Sequence, residues 1–355
     1  MLLDYHRKIK VAVIDDSPLV RNIISDLLQS DKNIEVIATG KTGLDCIDVV
    51  EKHHPDIVTL DIEMPVMDGL TALEEISKRK LNVGVIMLSV LTQHGADATF
   101  RALELGAIDF VPKPSSAVRM NLEEIGQLLK SKILGYFDYE DKKKAPRVKI
   151  KVGNFPEIKK TTPVRAIAIG TSTGGPNALQ AVFKMFPEDF YYPVFIVQHM
   201  PAGFTKAFAE RLNEISKIRV KEAENGEIVQ AGVAYIAPGN YHMKIHKREN
   251  NISIELDQGV PVNGHRPSVD VTFDSLNQTY GAGALSVIMT GMGKDGAESI
   301  KRLKEIGAPT LAQDEKTSVI FGMNRQAIEN GGVDHVVPLQ EIVPQMIRII
   351  KERGM

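Results

Sequence analysis

Two sets of residues in this chain have types and spacings that could do chemistry. In the first, Asp15-Asp16, Asp61, Ser89 and Lys113 stand at the ends of successive apolar, strand-like runs. Clustered carboxylates attract a hard divalent cation, and an oxygen donor set suits Mg²⁺. An aspartate beside such a cation can accept a phosphoryl group, because the cation offsets the repulsion between the acid and the incoming oxygens. Lys113 would add a point charge and Ser89 a hydroxyl to hold that group. In the second set, Ser172 lies in Gly170-Thr171-Ser172-Thr173-Gly174, His199 follows the run 193–198, and Asp295 lies in a glycine-rich segment after the run 284–290. Serine becomes a nucleophile when a base takes its proton, and the base works best when a third group fixes its tautomer.

The elements that must position these residues read as α/β. From Lys10 to about Leu134, short β-branched runs alternate with longer amphipathic ones, with strands predicted at 11–15, 34–38, 56–60, 83–88 and 108–111. Residues 18–29 repeat apolar positions at helical spacing, with Ser17 placed to cap the first turn. Such a pattern predicts a small doubly wound parallel sheet whose ligand sits outside the carboxyl ends of the strands, where the aspartates fall. The second half repeats the class, with strands predicted at 164–169, 193–198, 284–290 and 309–312. Runs at 233–237, 241–246 and 252–256 suggest an antiparallel excursion turning at 247–251. Between the halves, residues 136–163 are rich in lysine and interrupted by Pro146, Gly153 and Pro156, the composition of an exposed linker. The expected organisation is therefore a first domain at 1–135, a basic linker at 136–163 and a second domain at 164–355.

The Gly170–Gly174 segment fits the G-x-S-x-G elbow, a sharp turn from strand to helix. In that architecture the partners follow in the order Ser, Asp, His, whereas here the natural order is Ser172, His199, Asp295. The other order would make His335 the base, with Asp295 or Asp314 as its orienter. Gly174 and Gly175 ahead of a helix could instead cradle an anion, although no G-K-[ST] follows them. His265-Arg266-Pro267-Ser268 opens a predicted helix and could line a substrate channel, and Ser268 would equally serve as a helix cap.

Composition excludes several function classes. With 355 residues, 43% hydrophobic and 25% charged, the chain has room for two ordinary cores, and a net charge of -2 offers no general attraction to nucleic acid. The single cysteine, Cys46, falls in a helical pattern and is expected to be a buried, inert thiol. Asp4 and Arg7 interrupt the apolar start, and no run approaches bilayer-spanning length, so neither a signal peptide nor membrane insertion is expected and a cytoplasmic location fits.

Beyond these readings, Val13-Ile14-Asp15-Asp16-Ser17, the segment Leu60-Asp61-Ile62-Glu63-Met64-Pro65-Val66-Met67-Asp68-Gly69 and Lys113-Pro114 resemble the signature segments of bacterial response-regulator receiver domains. The resemblance implies a flavodoxin-like fold, Asp61 as acceptor of a phosphoryl group from a chemotaxis histidine kinase, and Mg²⁺ held by Asp16, Asp61 and the backbone carbonyl of Glu63, with Asp15 acting through water. Phe110 stands where such domains often carry a switch aromatic. From about Val164 to Val343, Gly-Thr-Ser-Thr-Gly-Gly, Gln-His-Met-Pro, His-Arg-Pro-Ser-Val-Asp and Thr-Gly-Met-Gly-Lys-Asp-Gly resemble the catalytic domain of the chemotaxis protein-glutamate methylesterases. That resemblance implies a cofactor-free hydrolase with Ser172, His199 and Asp295 as its triad and the N–H groups of Thr173 and Met292 as oxyanion donors. It also implies glutamate methyl esters on methyl-accepting chemoreceptors as substrate, and glutamine deamidation as a side activity. An unphosphorylated receiver covering the catalytic rim is the expected means of control. A protein-binding output without catalysis and a DNA-binding output are the rivals, and the second lacks a helix-turn-helix pattern or a concentrated basic face.

Overall fold

In the computed structural model, residues 7–90, 93–113, 122–144, 162–249 and 251–354 are described, and the chain divides into two units, Met1–Lys144 and Ala145–Met355. In the first unit the apolar runs become β1 (Ile9–Ile14), β2 (Ile34–Gly40), β3 (Ile57–Asp61), β4 (Gly84–Ser89) and β5 (Asp109–Pro112). They form one parallel sheet in the order β2-β1-β3-β4-β5. Its three strands β3, β4 and β5 are buried along their whole length, which is why their sequences run apolar without alternation. The connecting helices are α1 (Pro18–Gln29), α2 (Gly43–His53), α3 (Gly69–Lys78), α4 (Gln93–Glu104) and α5 (Leu122–Lys144). Side chains of Ser17, Thr42 and Asp68 accept bonds from the first-turn amides of α1, α2 and α3.

The strand order reverses at β1, whose neighbours are β2 and β3, so a crevice opens at the carboxyl ends of β1 and β3. Asp15 and Asp16 follow β1, and Asp61 closes β3. Helix α5 runs through Lys144, eight residues past the expected start of the linker at Tyr136. The cause is a single apolar stripe: Ile125, Leu129, Ile133 and Phe137, four apart, all join the core under the sheet. Residues 145–161 of the expected linker lie outside the described residues.

The second unit carries β6 (Ala166–Thr171), β7 (Val194–Gln198), β8 (Arg219–Glu222), β9 (Val233–Ile236), β10 (His242–Arg248), β11 (Asn251–Asp257), β12 (Ala284–Ile288), β13 (Thr310–Gln313) and β14 (His335–Val337). Its helices are α6 (Gly175–Phe183), α7 (Phe204–Ile215), α8 (Val269–Tyr280), α9 (Ala297–Glu305), α10 (Met323–Glu329) and α11 (Ile342–Gly354). Seven strands form a parallel sheet in the order β14-β13-β12-β6-β7-β9-β8. Residues 233–237 were expected in the antiparallel excursion, but β9 pairs parallel with both β7 and β8 inside the main sheet. All four of its residues are buried, the condition of a strand covered on both faces. Two further strands escaped the sequence reading. Strand β8 reads Arg-Val-Lys-Glu, the charged composition of an edge, and β14 has only three residues.

The antiparallel part is a hairpin of β10 and β11, closed by the pair Arg248–Asn251. Met243, Ile245 and Ile254 from the hairpin and Phe273 and Leu276 from α8 share one core cluster. Thr272 Oγ1 donates to the Met243 carbonyl (2.7 Å), and Ser275 Oγ accepts from the Ile245 amide (3.0 Å). The hairpin thus fixes α8, whose N-terminus enters the site described next. Here too the strand order reverses, at β6 between β7 and β12, and the crevice opens at the end of β6. Among the described residues, no helix is long and apolar enough to cross a membrane.

A Cβ placed on Gly69 would lie 2.0 Å from the Asp61 carbonyl oxygen, a backbone atom that cannot swing aside. Gly69→Ala is therefore expected to destabilise the first unit by about 1–3 kcal/mol, the usual cost of overpacking, read as a lower urea midpoint. An unchanged midpoint would show that the α3 start yields freely.

Candidate functional sites

At the crevice of the first sheet, Asp15, Asp16 and Asp61 bring one carboxylate oxygen each within 4.8 Å of one another. Asp15 and Asp61 are buried and Asp16 is exposed. Lys113, just beyond β5, reaches in and pairs with Asp61 (2.7 Å) and Asp15 (2.9 Å). Burial pushes the Asp61 carboxyl up to about 6, a rise that Lys113 opposes and the neighbouring Asp15 reinforces. Burial works against the Lys113 charge as well, but the two aspartates prevail and raise its pKa. A cluster of three carboxylates facing one lysine remains net negative, and its all-oxygen donor set fits a hard divalent cation. The Glu63 amide donates to Asp61 Oδ1 (3.3 Å), which sets the β3–α3 turn beside the acceptor. Phe110 is buried. The Ser89 hydroxyl donates to the Gly95 carbonyl (3.2 Å) and accepts from Thr99 Oγ1 (2.6 Å), which engages it with the start of α4.

At the crevice of the second sheet, β6 ends at Thr171 and the chain turns through Ser172 and Thr173 into α6. The Ser172 amide donates to the Thr290 carbonyl (3.0 Å) and the Gly175 amide to the Ser172 carbonyl (2.8 Å), pinning the turn at both ends. The neighbouring strand β7 delivers His199, whose amide donates to the Thr171 carbonyl (3.2 Å). Gln198 ties the two strand ends together. Its buried carboxamide donates from Nε2 to the carbonyls of Ser172 (2.9 Å) and His199 (3.0 Å). Beyond β12, a Cβ on Gly291 would fall 2.9 Å from the Ser172 Cβ, so the loop carrying Met292 lies directly against the serine turn. Ser172, Thr173, His199, Met292 and Asp295 therefore share one rim.

Asp295 is almost fully buried and accepts from several donors. His199 Nε2 meets Oδ2 at 2.8 Å, the Val269 amide donates to the same oxygen (2.7 Å), and Ser268 Oγ (2.8 Å) and Asn263 Nδ2 (2.9 Å) donate to Oδ1. Burial resists its ionisation, but the bonds from His199, Asn263 and Ser268 prevail and hold the carboxyl well below the usual range. The α8 N-terminus contributes its first amides and the positive end of its dipole. With Nε2 committed to Asp295, the other ring nitrogen of His199, Nδ1, is buried with no hydrogen-bond partner among the described residues. The ring is thus held at one nitrogen and open at the other.

The alternative base falls away. His335 opens β14 at the sheet edge, with β12 and β13 between it and β6, and Asp314 is occupied by the Thr317 amide (3.0 Å) and hydroxyl (2.6 Å). Cys46 is buried, and burial pushes its thiol up to about 12, the state of an inert core residue. Gln198, Asn263 and the bond from Ser268 escaped the sequence reading. Asn263 carried a signal, since Asn-Gly is a hairpin-turn pair, but nothing local linked it to Asp295 thirty-two residues away.

Known proteins match both parts of the chain. Residues 167–346 match the model of the CheB methylesterase family, and residues 11–123 match the response regulator receiver domain. The chain is 46% identical to a protein-glutamate methylesterase/protein-glutamine glutaminase of Pyrococcus horikoshii, over 97% of this chain and 94% of the relative. A protein of the same description from Archaeoglobus fulgidus is 45% identical over 96% of this chain and 98% of its own length. The crystal structure of the Thermotoga maritima CheB methylesterase catalytic domain superposes with a TM-score of 0.52 and 40% identity, covering 52% of this chain and 98% of that one.

Because the folded state depresses the Asp295 pKa, its ionised form stabilises the fold above the unfolded-state value of about 4, and that contribution is lost as pH falls through the folded value. Urea midpoints of the wild type and Asp295→Asn, compared from pH 7 to 3, are expected to differ most above about pH 4, with the gap narrowing as pH falls below it. A constant gap would refute the ionised, hydrogen-bonded carboxylate.

Proposed function

Since the chain belongs to the CheB methylesterase family and carries a receiver domain in front of the catalytic one, we propose that it is a phosphorylation-activated hydrolase acting on glutamate γ-methyl esters of methyl-accepting chemoreceptors in the cytoplasm. The observation that carries this reading is the His199 imidazole, bonded to Asp295 through Nε2 and open at Nδ1 beside the Ser172 turn. Ser172 Oγ attacks the ester carbonyl while His199 Nδ1 takes its proton, and Asp295 stabilises the imidazolium that forms. This assigns the ring nitrogens in the opposite sense to the chymotrypsin template, where Nδ1 faces the aspartate. Collapse of the tetrahedral adduct breaks the bond to methoxide, which leaves as methanol with the proton from His199. Water, deprotonated by the same nitrogen, then releases glutamate and restores the serine.

The oxyanion of each adduct is stabilised by the amides of Thr173, next in the serine turn, and Met292, in the loop against it. Such donors are worth about 3–4 kcal/mol each. A glutamine side chain presents the same acyl group with ammonia as the leaving group, so deamidation follows from the same residues.

Control resides in the acidic crevice of the receiver. Asp61 accepts the phosphoryl group from a chemotaxis histidine kinase, Lys113 pairs with it, and Ser89 exchanges Gly95 for a phosphoryl oxygen. Asp16, Asp61 and the Glu63 carbonyl would hold Mg²⁺, with Asp15 assisting through water, and the ion would supply charge compensation for the incoming phosphoryl oxygens. A tenfold rise in active enzyme needs only about 1.4 kcal/mol of differential stabilisation.

Methanol release from methylated receptor is expected to fall by roughly four or more orders of magnitude in Ser172→Ala, as for other triads. Retention of more than a hundredth of the rate would exclude Ser172 as nucleophile. Acetyl phosphate with Mg²⁺ is expected to stimulate the wild type and to leave Asp61→Asn at its basal rate. Equal stimulation of both would remove the receiver from the control scheme.

A further inference from the structure

The tautomer of His199 is fixed by one hydrogen bond, and one bond is a hinge. The ring can still tilt about the Nε2–Asp295 contact and change the direction in which Nδ1 faces. The structure contains a second restraint. The imidazole of His265 lies face to face with that of His199, with ring centroids 3.7 Å apart and planes within 11°. We infer that His265 is a positioning residue that holds the plane of the His199 ring, and with it the direction in which the open Nδ1 faces. The inference rests on the serine-hydrolase reading above.

The geometry behind the contact is built into a short turn. Val262 and His265 exchange both backbone hydrogen bonds (3.1 and 2.9 Å) across Asn263 and Gly264. Both central residues have left-handed backbone, φ 53° and 80°, the demand of a type I′ turn that Asn-Gly meets at little cost. From this one turn, Asn263 reaches Asp295 Oδ1 while His265 covers His199. The next residue secures the loop: Arg266 donates to the side chain of Asn240 (2.5 Å) and the carbonyls of Gln258 (3.0 Å) and Gly259 (2.8 Å). The turn therefore braces both members of the His199–Asp295 pair from outside the strands that carry them.

The contact is one of ring faces, so a phenyl ring should replace the imidazole and an aliphatic or amide side chain should not. In the full-length protein, kcat and KM for methanol release and the rate of Ser172 labelling by a fluorophosphonate are compared for wild type, His265→Ala, His265→Gln, His265→Phe and His199→Ala. Labelling needs no receptor and reads the serine's reactivity alone. His265→Ala and His265→Gln are expected to lose about 10- to 100-fold in kcat and in labelling, with KM within threefold, because a misplaced base loses on the order of a hundredfold. His265→Phe is expected to keep at least a third of both. Wild-type rates in His265→Gln, or equal losses in His265→Phe and His265→Gln, would overturn the positioning role. If His265→Ala fails to fold, by circular dichroism, the Gln and Phe variants alone decide. Undiminished labelling in His199→Ala would instead overturn the underlying hydrolase reading, so the two failures are told apart.

Discussion

A buried carboxylate at the start of one helix is the constraint on which the catalytic half depends. Asp295 can remain ionised out of water only because His199, Ser268, Asn263 and the Val269 amide surround it with donors. That demand fixes where α8 must lie. Gly170 at the end of β6 and Gly296 beside Asp295 both admit the helix, since a Cβ on either would come 2.5 Å from Val269 Cγ1. The β10–β11 hairpin then presses on α8 from its other side through Met243 and Ile245. Sheet, hairpin and helix converge on two oxygens, and those oxygens set the tautomer of the base.

The two halves use one architectural device for opposite electrostatic ends. Each parallel sheet reverses its strand order at its first strand, β1 or β6, and each places its buried aspartate, Asp61 or Asp295, at the crevice that results. In the receiver, Asp61 is buried beside another acid and one lysine, and its carboxyl is pushed up. In the hydrolase, Asp295 is buried among donors and its carboxyl is pushed down. A site short of positive charge suits a cation and an incoming phosphoryl group. A site rich in donors suits a permanent anion that steadies an imidazolium.

Much of this was legible along the chain. Asp15, Asp16, Asp61 and Lys113, and likewise Ser172, His199 and Asp295, follow short apolar runs, and parallel strands bring such ends to one edge whatever the intervening helices contain. Membership of the main sheet was less legible where composition misled. Strand β9 stands in sequence just before the hairpin strands, yet it is buried inside the main sheet, and β8 carries charges that do not read as a strand.

What the sequence determined by itself was the type of each reactive residue and its place at a strand end, because both follow from local periodicity and side-chain chemistry. Only the tertiary structure decided which nitrogen of His199 is open, that Gln198 spans two strand ends, that Ser89 is engaged with Gly95 and Thr99, that Asn263 bonds Asp295 and that His265 stacks on His199. Those are contacts between segments far apart in the chain. Their geometry is set by how α8, the hairpin and the sheet pack, which no local pattern of residues encodes.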